Sequence, residues 1–191
     1  MKSRSVTIFT VFVLSIFHGS IAQQIRVAEM ITGLQNPATS DEAVKEIEAG
    51  DAELKTSVAD NLFSLMKKEK NDTVLNNESK LAGELKVTAC IPILVNRFVH
   101  GDMTTNWITA SIMWSMSNDP AGRALVQIGD PVIPFMSKLL ASDEKYDREK
   151  AIRVLGNIDS PAALAILKQH RSLETDEQNQ HVIDKVTAPR N

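Results

Sequence analysis

The residues of this 191-residue chain that could do chemistry are few: four histidines, one cysteine and two tryptophans. The histidines are His18, His100, His170 and His181. His170 and His181 stand 11 residues apart. One continuous helix would place them about three turns from each other, but Ser172 and the stretch 174–176 interrupt it. No His-x-x-x-His, Cys-x-x-Cys or calcium-loop spacing occurs, so neither a metal site nor a cofactor is expected. His100 and Asp102, at a predicted helix end, are the one pairing that could approach an ion; a surface-polar role is the plainer reading. Cys90 lies in the apolar stretch 87–99 and reads as a buried, inert thiol. As the only cysteine it cannot close an internal disulfide. A Cys90–His100 nucleophile pair would need a third, orienting group that nothing specifies. There is no glycine-rich phosphate loop and no serine elbow. No catalytic residue is assigned.

Trp107 and Trp114 are seven residues apart, two helical turns, so both indoles share a face that Met103, Met113 and Met116 flank. Such a stripe reads first as core. The alternative is an exposed aromatic patch, because tryptophan and methionine dominate repackable binding surfaces.

The elements that must position these residues begin behind a leader. Lys2 and Arg4 precede a nearly unbroken apolar run over 6–17, and Ser20-Ile21-Ala22 supplies small residues for cleavage. That is a secretory signal peptide, 1–22, with the cut placed after Ala22. The run is about 12 residues, roughly 18 Å of helix, against about 20 residues for a bilayer core. A stable membrane span after leader removal is not expected, and the mature chain is exported, periplasmic or secreted. Residues 23–191 then form a single domain. Loss of Lys2 and Arg4 moves the formal charge from −3 to −5. A mildly acidic chain without a basic block is a poor nucleic-acid binder. Asn71-Asp72-Thr73 and Asn77-Glu78-Ser79 match the N-glycosylation acceptor pattern.

Helical spacing runs through the remainder. Helices are predicted over 25–34, 41–48 capped by Ser40, 51–70, 77–87 and 91–99, with Pro92 in a first turn. Thr104 or Thr105 can cap the tryptophan helix. Asp119-Pro120, Asp130-Pro131 and Ser160-Pro161 each read as a cap followed by a first helical residue. Val132, Phe135, Met136, Leu139 and Leu140 make one broad apolar face, and further helices follow over 147–157, 161–170 and 177–186. Two echoes recur at 41–42 residues: Ile91-Pro92-Ile93-Leu94 as Ile133-Pro134-Phe135-Met136, and Asn118-Asp119-Pro120-Ala121 as Ile158-Asp159-Ser160-Pro161-Ala162. Short helices with one apolar stripe each must stack on neighbours to share a core. The expected fold is all-α, a short α-α superhelix of antiparallel helix pairs, with an irregular helical bundle as the alternative.

The stretch from Gly129-Asp130-Pro131 through Pro134 and Leu139-Leu140, then Arg148, Ala151, Leu155-Gly156, Ile158 and Ser160-Pro161-Ala162, resembles the HEAT-like repeats of the bilin-lyase type. The likeness is clearest over 120–170. It makes Pro131, Pro134, Arg148, Ala151, Gly156 and Pro161 repeat-forming positions. Independently of that likeness, Arg148 can reach carbonyls or acids of an adjacent turn, and Ala151 and Gly156 suit close helix crossings. In such a stack the second helix of each pair lines the concave face. Asn96, Arg97, Gln127, Lys138, Lys168 and Arg171 are the candidate binding surface. The expected function is a non-enzymatic binding, scaffold or adaptor module with a protein or peptide partner. The alternative is an enzyme-associated, lyase-type accessory role, because some relatives of this repeat type attach or remove bilins.

Overall fold

The computed structural model describes residues 21–100 and 119–188, and every described element is helical or a turn. Ten α-helices are described: α1 Ile21–Leu34, α2 Ser40–Ala49, α3 Ala52–Met66, α4 Asp72–Glu84, α5 Ile91–His100, α6 Pro120–Ile128, α7 Ile133–Leu140, α8 Lys145–Ile158, α9 Pro161–His170 and α10 Glu177–Val186. Leader residues 1–20, Asp102, the Thr104 and Thr105 caps, and the tryptophan stripe with Trp107 and Trp114 lie outside the described residues.

Polar side chains mark where helices start. Asp51, Asn71, Asp119, Ser160 and Asp176 each accept the N–H of the residue three positions on. Each such bond satisfies one of the donors a helix leaves open, worth about 1 kcal/mol. The Asp119-Pro120 and Ser160-Pro161 starts behave as their sequence predicts. Two other expected caps do not. Asp130 opens a 3₁₀ turn, Asp130–Val132, before α7, with no side-chain cap bond. Ser40 is instead the first residue of α2, fully buried, and its hydroxyl accepts from Asn77 Nδ2 at 2.8 Å. A tertiary partner has taken the hydroxyl that a local cap would use.

Lys86, Gly129 and Asp159 are the described residues with positive φ, at 51°, 84° and 55°. Each follows a first helix and turns the chain into the next, at spacings of 43 and 30 residues. The spacing is therefore not uniform. The 42-residue echo from Ile91 to Ile133 joins like places, since both helices follow a 3₁₀ turn, with Cys90 and Val132, and Leu94 and Met136, fully buried. The second echo joins unlike ones: α6 lies on α4, whereas α9 lies on α7 and α8.

One apolar cluster runs from Leu34 in α1 to Ile183 in α10. Helix α4 contacts α6, α6 contacts α8, and α8 contacts α10. These contacts are close where side chains are small. A Cβ on Gly83 would stand 2.6 Å from Ala124 Cα, so α4 and α6 meet almost backbone to backbone. A Cβ on Gly156 would stand 3.0 Å from Val186, where α8 meets α10. Among the described residues no helix is long and apolar enough to cross a membrane.

Candidate functional site

Five of the six candidate surface residues lie on or directly after α5, α7 and α9. Asn96, Lys138 and Lys168 are exposed. Arg97 is half-buried; its Nη2 donates to Asn76 Oδ1 at 3.1 Å, and its Nη1 is 3.9 Å from Asp72. Arg171 is ion-paired with Asp184 of α10 at 2.7 Å. Gln127 stands apart on α6, with its amide oxygen over Gly83 at the α4–α6 crossing. Among the described residues no hydrogen bond or ion pair joins any two of the six. The repeat-forming prolines Pro131, Pro134 and Pro161 are exposed at helix starts, while Ala151 and Gly156 are buried in α8. Gly156 does not close its helix, which continues to Ile158.

Where α7 and α9 end, the chain forms an open cleft of about 580 Å³. Leu140, Ile166 and Leu173 give it apolar walls, and Ser137, Gln169 and Thr175 neutral polar ones. Leu173 is 70% exposed, an apolar side chain held out at the rim. Arg148 and His170 also face the cleft.

The guanidinium of Arg148 is engaged at all three of its nitrogens. Nε and Nη2 donate to the Glu174 carboxylate at 3.0 and 2.9 Å. Nη1 donates to the Ser142 and Asp143 carbonyls, each at 3.0 Å. The Glu174 side chain has no solvent exposure. It also accepts the N–H of Thr175 and Asp176 and the side-chain amide of Asn179, with His170 Nε2 at 3.4 Å. Burial pushes this carboxyl up, but the Arg148, Asp176 and Asn179 hydrogen bonds outweigh it and hold the group down at about 2. This hub ties the α7–α8 turn, α8, the end of α9 and the start of α10 into one rigid cleft base. With Arg148 paired to Glu174, the cleft offers hydrogen bonds and apolar surface, with the Asp143 side chain also in its wall.

A second buried set lies toward the other end. Glu78, in α4, has no solvent exposure, and neither carboxylate oxygen has a hydrogen-bond partner among the described residues. Burial raises it to about 8, with Glu69 adding and Arg97 opposing. Arg97 Nε is likewise buried without a partner there. Cys90, a free buried thiol, is pushed up to about 11 by burial and by Glu78. It is a poor nucleophile, because the reactive thiolate is the form so disfavoured. Lys150 of α8, 6% exposed, donates to the Val99 carbonyl at 2.8 Å, and burial pushes its pKa down. Burial also raises Asp119, against the pull of the Gly122 and Ala121 N–H groups and of Lys150.

Sequence reasoning missed Glu78, Lys150 and Glu174. Glu78 had a usable signal: it shares one helical face with Val74, Leu81 and Ala82, all buried. Glu174 had none, since its partners come from other elements. His100 and His181 are exposed and do not line this cleft. Among the described residues no three His, Cys, Asp or Glu side chains gather as metal ligands. No family model, no curated protein and no solved structure matches the chain.

Proposed function

We propose that the chain is an exported, non-enzymatic binding module built as a short HEAT-like stack of helix pairs, and that the α7–α9 cleft takes an extended segment of a partner protein. The cleft on its rigid Arg148–Glu174 base is the observation that carries this reading. Its lining combines the neutral donors and acceptors Ser137, Ser142, Gln169 and Thr175 with Leu140, Ile166 and Leu173, beside the Asp143 side chain. That lining suits an extended backbone, and Arg148, already ion-paired with Glu174, is not a free charge that would draw a phosphate or carboxylate. The helix contacts α4–α6, α6–α8 and α8–α10 support the stacked reading. Export is compatible with the fold, because Ile21 and Ala22, the described residues that a cut after Ala22 removes, lie outside the core, with Ile21 77% exposed.

A photo-crosslinking residue at position 169, with one at the exposed Lys45 as control, tests the cleft directly in the native exported fraction. The expected outcome is one crosslinked species at 169, competed by excess unlabelled chain and lost on Leu173→Glu. Equal crosslinking at both positions, or survival of the product in the Leu173→Glu chain, overturns the cleft assignment. Mass spectrometry of the exported protein tests the leader: a mature N-terminus within a few residues of Gln23 supports it, and an intact Met1 removes it.

A further inference from the structure

The two Asn-x-Ser/Thr triplets are six residues apart, yet the fold treats them in opposite ways. Asn71 is the N-cap of α4 and is exposed, as is Thr73. Its Oδ1 accepts the Val74 N–H at 3.2 Å, and its Nδ2 makes no hydrogen bond among the described residues. An N-glycan is attached through that nitrogen and leaves the amide oxygen in place, so the cap survives the modification. Asn77 is the reverse. Its Nδ2 donates to Ser40 Oγ at 2.8 Å and to Asp41 Oδ1 at 2.7 Å, tying α4 to α2. Ser79, the hydroxyl residue of that triplet, is fully buried and bonded to the Leu75 carbonyl. A sugar on Asn77 would replace one of the two donor hydrogens that hold α2, and its bulk would wedge the two helices apart.

We infer that Asn71 is an N-glycan acceptor site that the folded chain carries outside its packing, and that the folded chain does not carry a glycan on Asn77. The inference rests on the export reading, because the transfer occurs during translocation. The donor is a polyprenyl pyrophosphate-linked oligosaccharide. Its anomeric C1–O bond to the pyrophosphate breaks, and C1 forms a bond to Asn71 Nδ2. One Nδ2 proton passes to a base of the transferase, and the lipid pyrophosphate leaves. Attachment at a helix start that faces solvent adds bulk without displacing any core side chain.

The test is secretion of the full chain from a glycosylating eukaryotic cell, beside a second version whose residues 1–22 are replaced by a proven secretory leader. Glycosidase treatment in heavy-oxygen water then marks each formerly glycosylated asparagine for mass spectrometry. The expected result is one glycan per secreted chain, on Asn71, lost in Asn71→Gln and in Thr73→Ala and kept in Ser79→Ala. A secreted, soluble chain with its glycan on Asn77, or a leader-replaced chain secreted without any glycan, overturns the inference. If only the leader-replaced version is secreted, and it carries the Asn71 glycan, the export reading fails and the acceptor assignment stands.

Discussion

Glu78 and Glu174 are the same residue type with the same lack of solvent exposure, yet they hold opposite charge states at neutral pH. Glu174 has a bidentate arginine, two backbone N–H groups and an asparagine amide. Glu78 has no hydrogen bond among the described residues, only the distant pull of Arg97. Burial alone therefore fixes nothing about a carboxyl group; the donors it meets decide whether the buried form is charged. The end of the molecule that carries the cleft uses a buried charge to lock turns together. The α4–α5 end tolerates a buried acid by keeping it protonated.

The largest effect is expected from Arg148→Ala, which strands the Glu174 charge in the interior. Loss of one partner of such a pair costs about 3–5 kcal/mol, read as a shifted urea midpoint. A Arg148→Met/Glu174→Leu double variant should recover much of that loss, since it removes the stranded charge as well. If Arg148→Ala is neutral, the hub is not the cleft's support.

The comparison is sharpened by pH. Glu174 is held near 2, below the ordinary glutamate value of 4.5, so its contribution is complete above 4.5 and drains as pH falls toward 2. Glu78 is raised to about 8, so its contribution is complete below 4.5 and is lost as pH rises from 4.5 through 8. In Glu78→Gln the alkaline loss should flatten, leaving the variant more stable than the parent at pH 9 but not at pH 5. Urea titrations at pH 5 and pH 9 measure this. An unchanged alkaline slope would mean that Glu78 is ionised at neutral pH after all.

A smaller loss, about 1–3 kcal/mol, is expected for Gly83→Ala, because the added methyl meets Ala124 backbone five residues along α4 from Glu78. Gly156→Ala, which meets only the Val186 side chain, should cost less. Equal losses would show that backbone contact does not distinguish the two crossings. The smallest readout is chemical. Cys90 should resist alkylation at pH 8 in the native chain and react in urea, whereas rapid native labelling would place the thiol outside the core.

The parts of this fold legible in sequence are those decided within one turn of helix. Asp119-Pro120 and Ser160-Pro161 start helices because a short acceptor and a donor-free proline suit those positions whatever surrounds them. The last helix, Glu177–Val186, has the bounds its apolar spacing gives. Asp130-Pro131 carries the same local signal as Asp119-Pro120, yet it enters a 3₁₀ turn with no side-chain cap bond. The 42-residue echo was legible between α5 and α7, but the 30-residue step from Gly129 to Asp159 was not. The candidate surface was read one residue at a time, and the cleft that the structure forms draws on none of its six positions.

Short one-striped helices, their capped starts and an apolar Cys90 environment follow from residue order, because those features depend on neighbours three or four positions away. Which carboxyl is charged, where a cleft opens and which asparagine is spoken for were settled only when distant helices met. Arg148 reaches Glu174 across 26 residues, and Asn77 reaches Ser40 across 37. Hydrogen bonds of that span have no periodic trace in the chain, and so only packing could choose them.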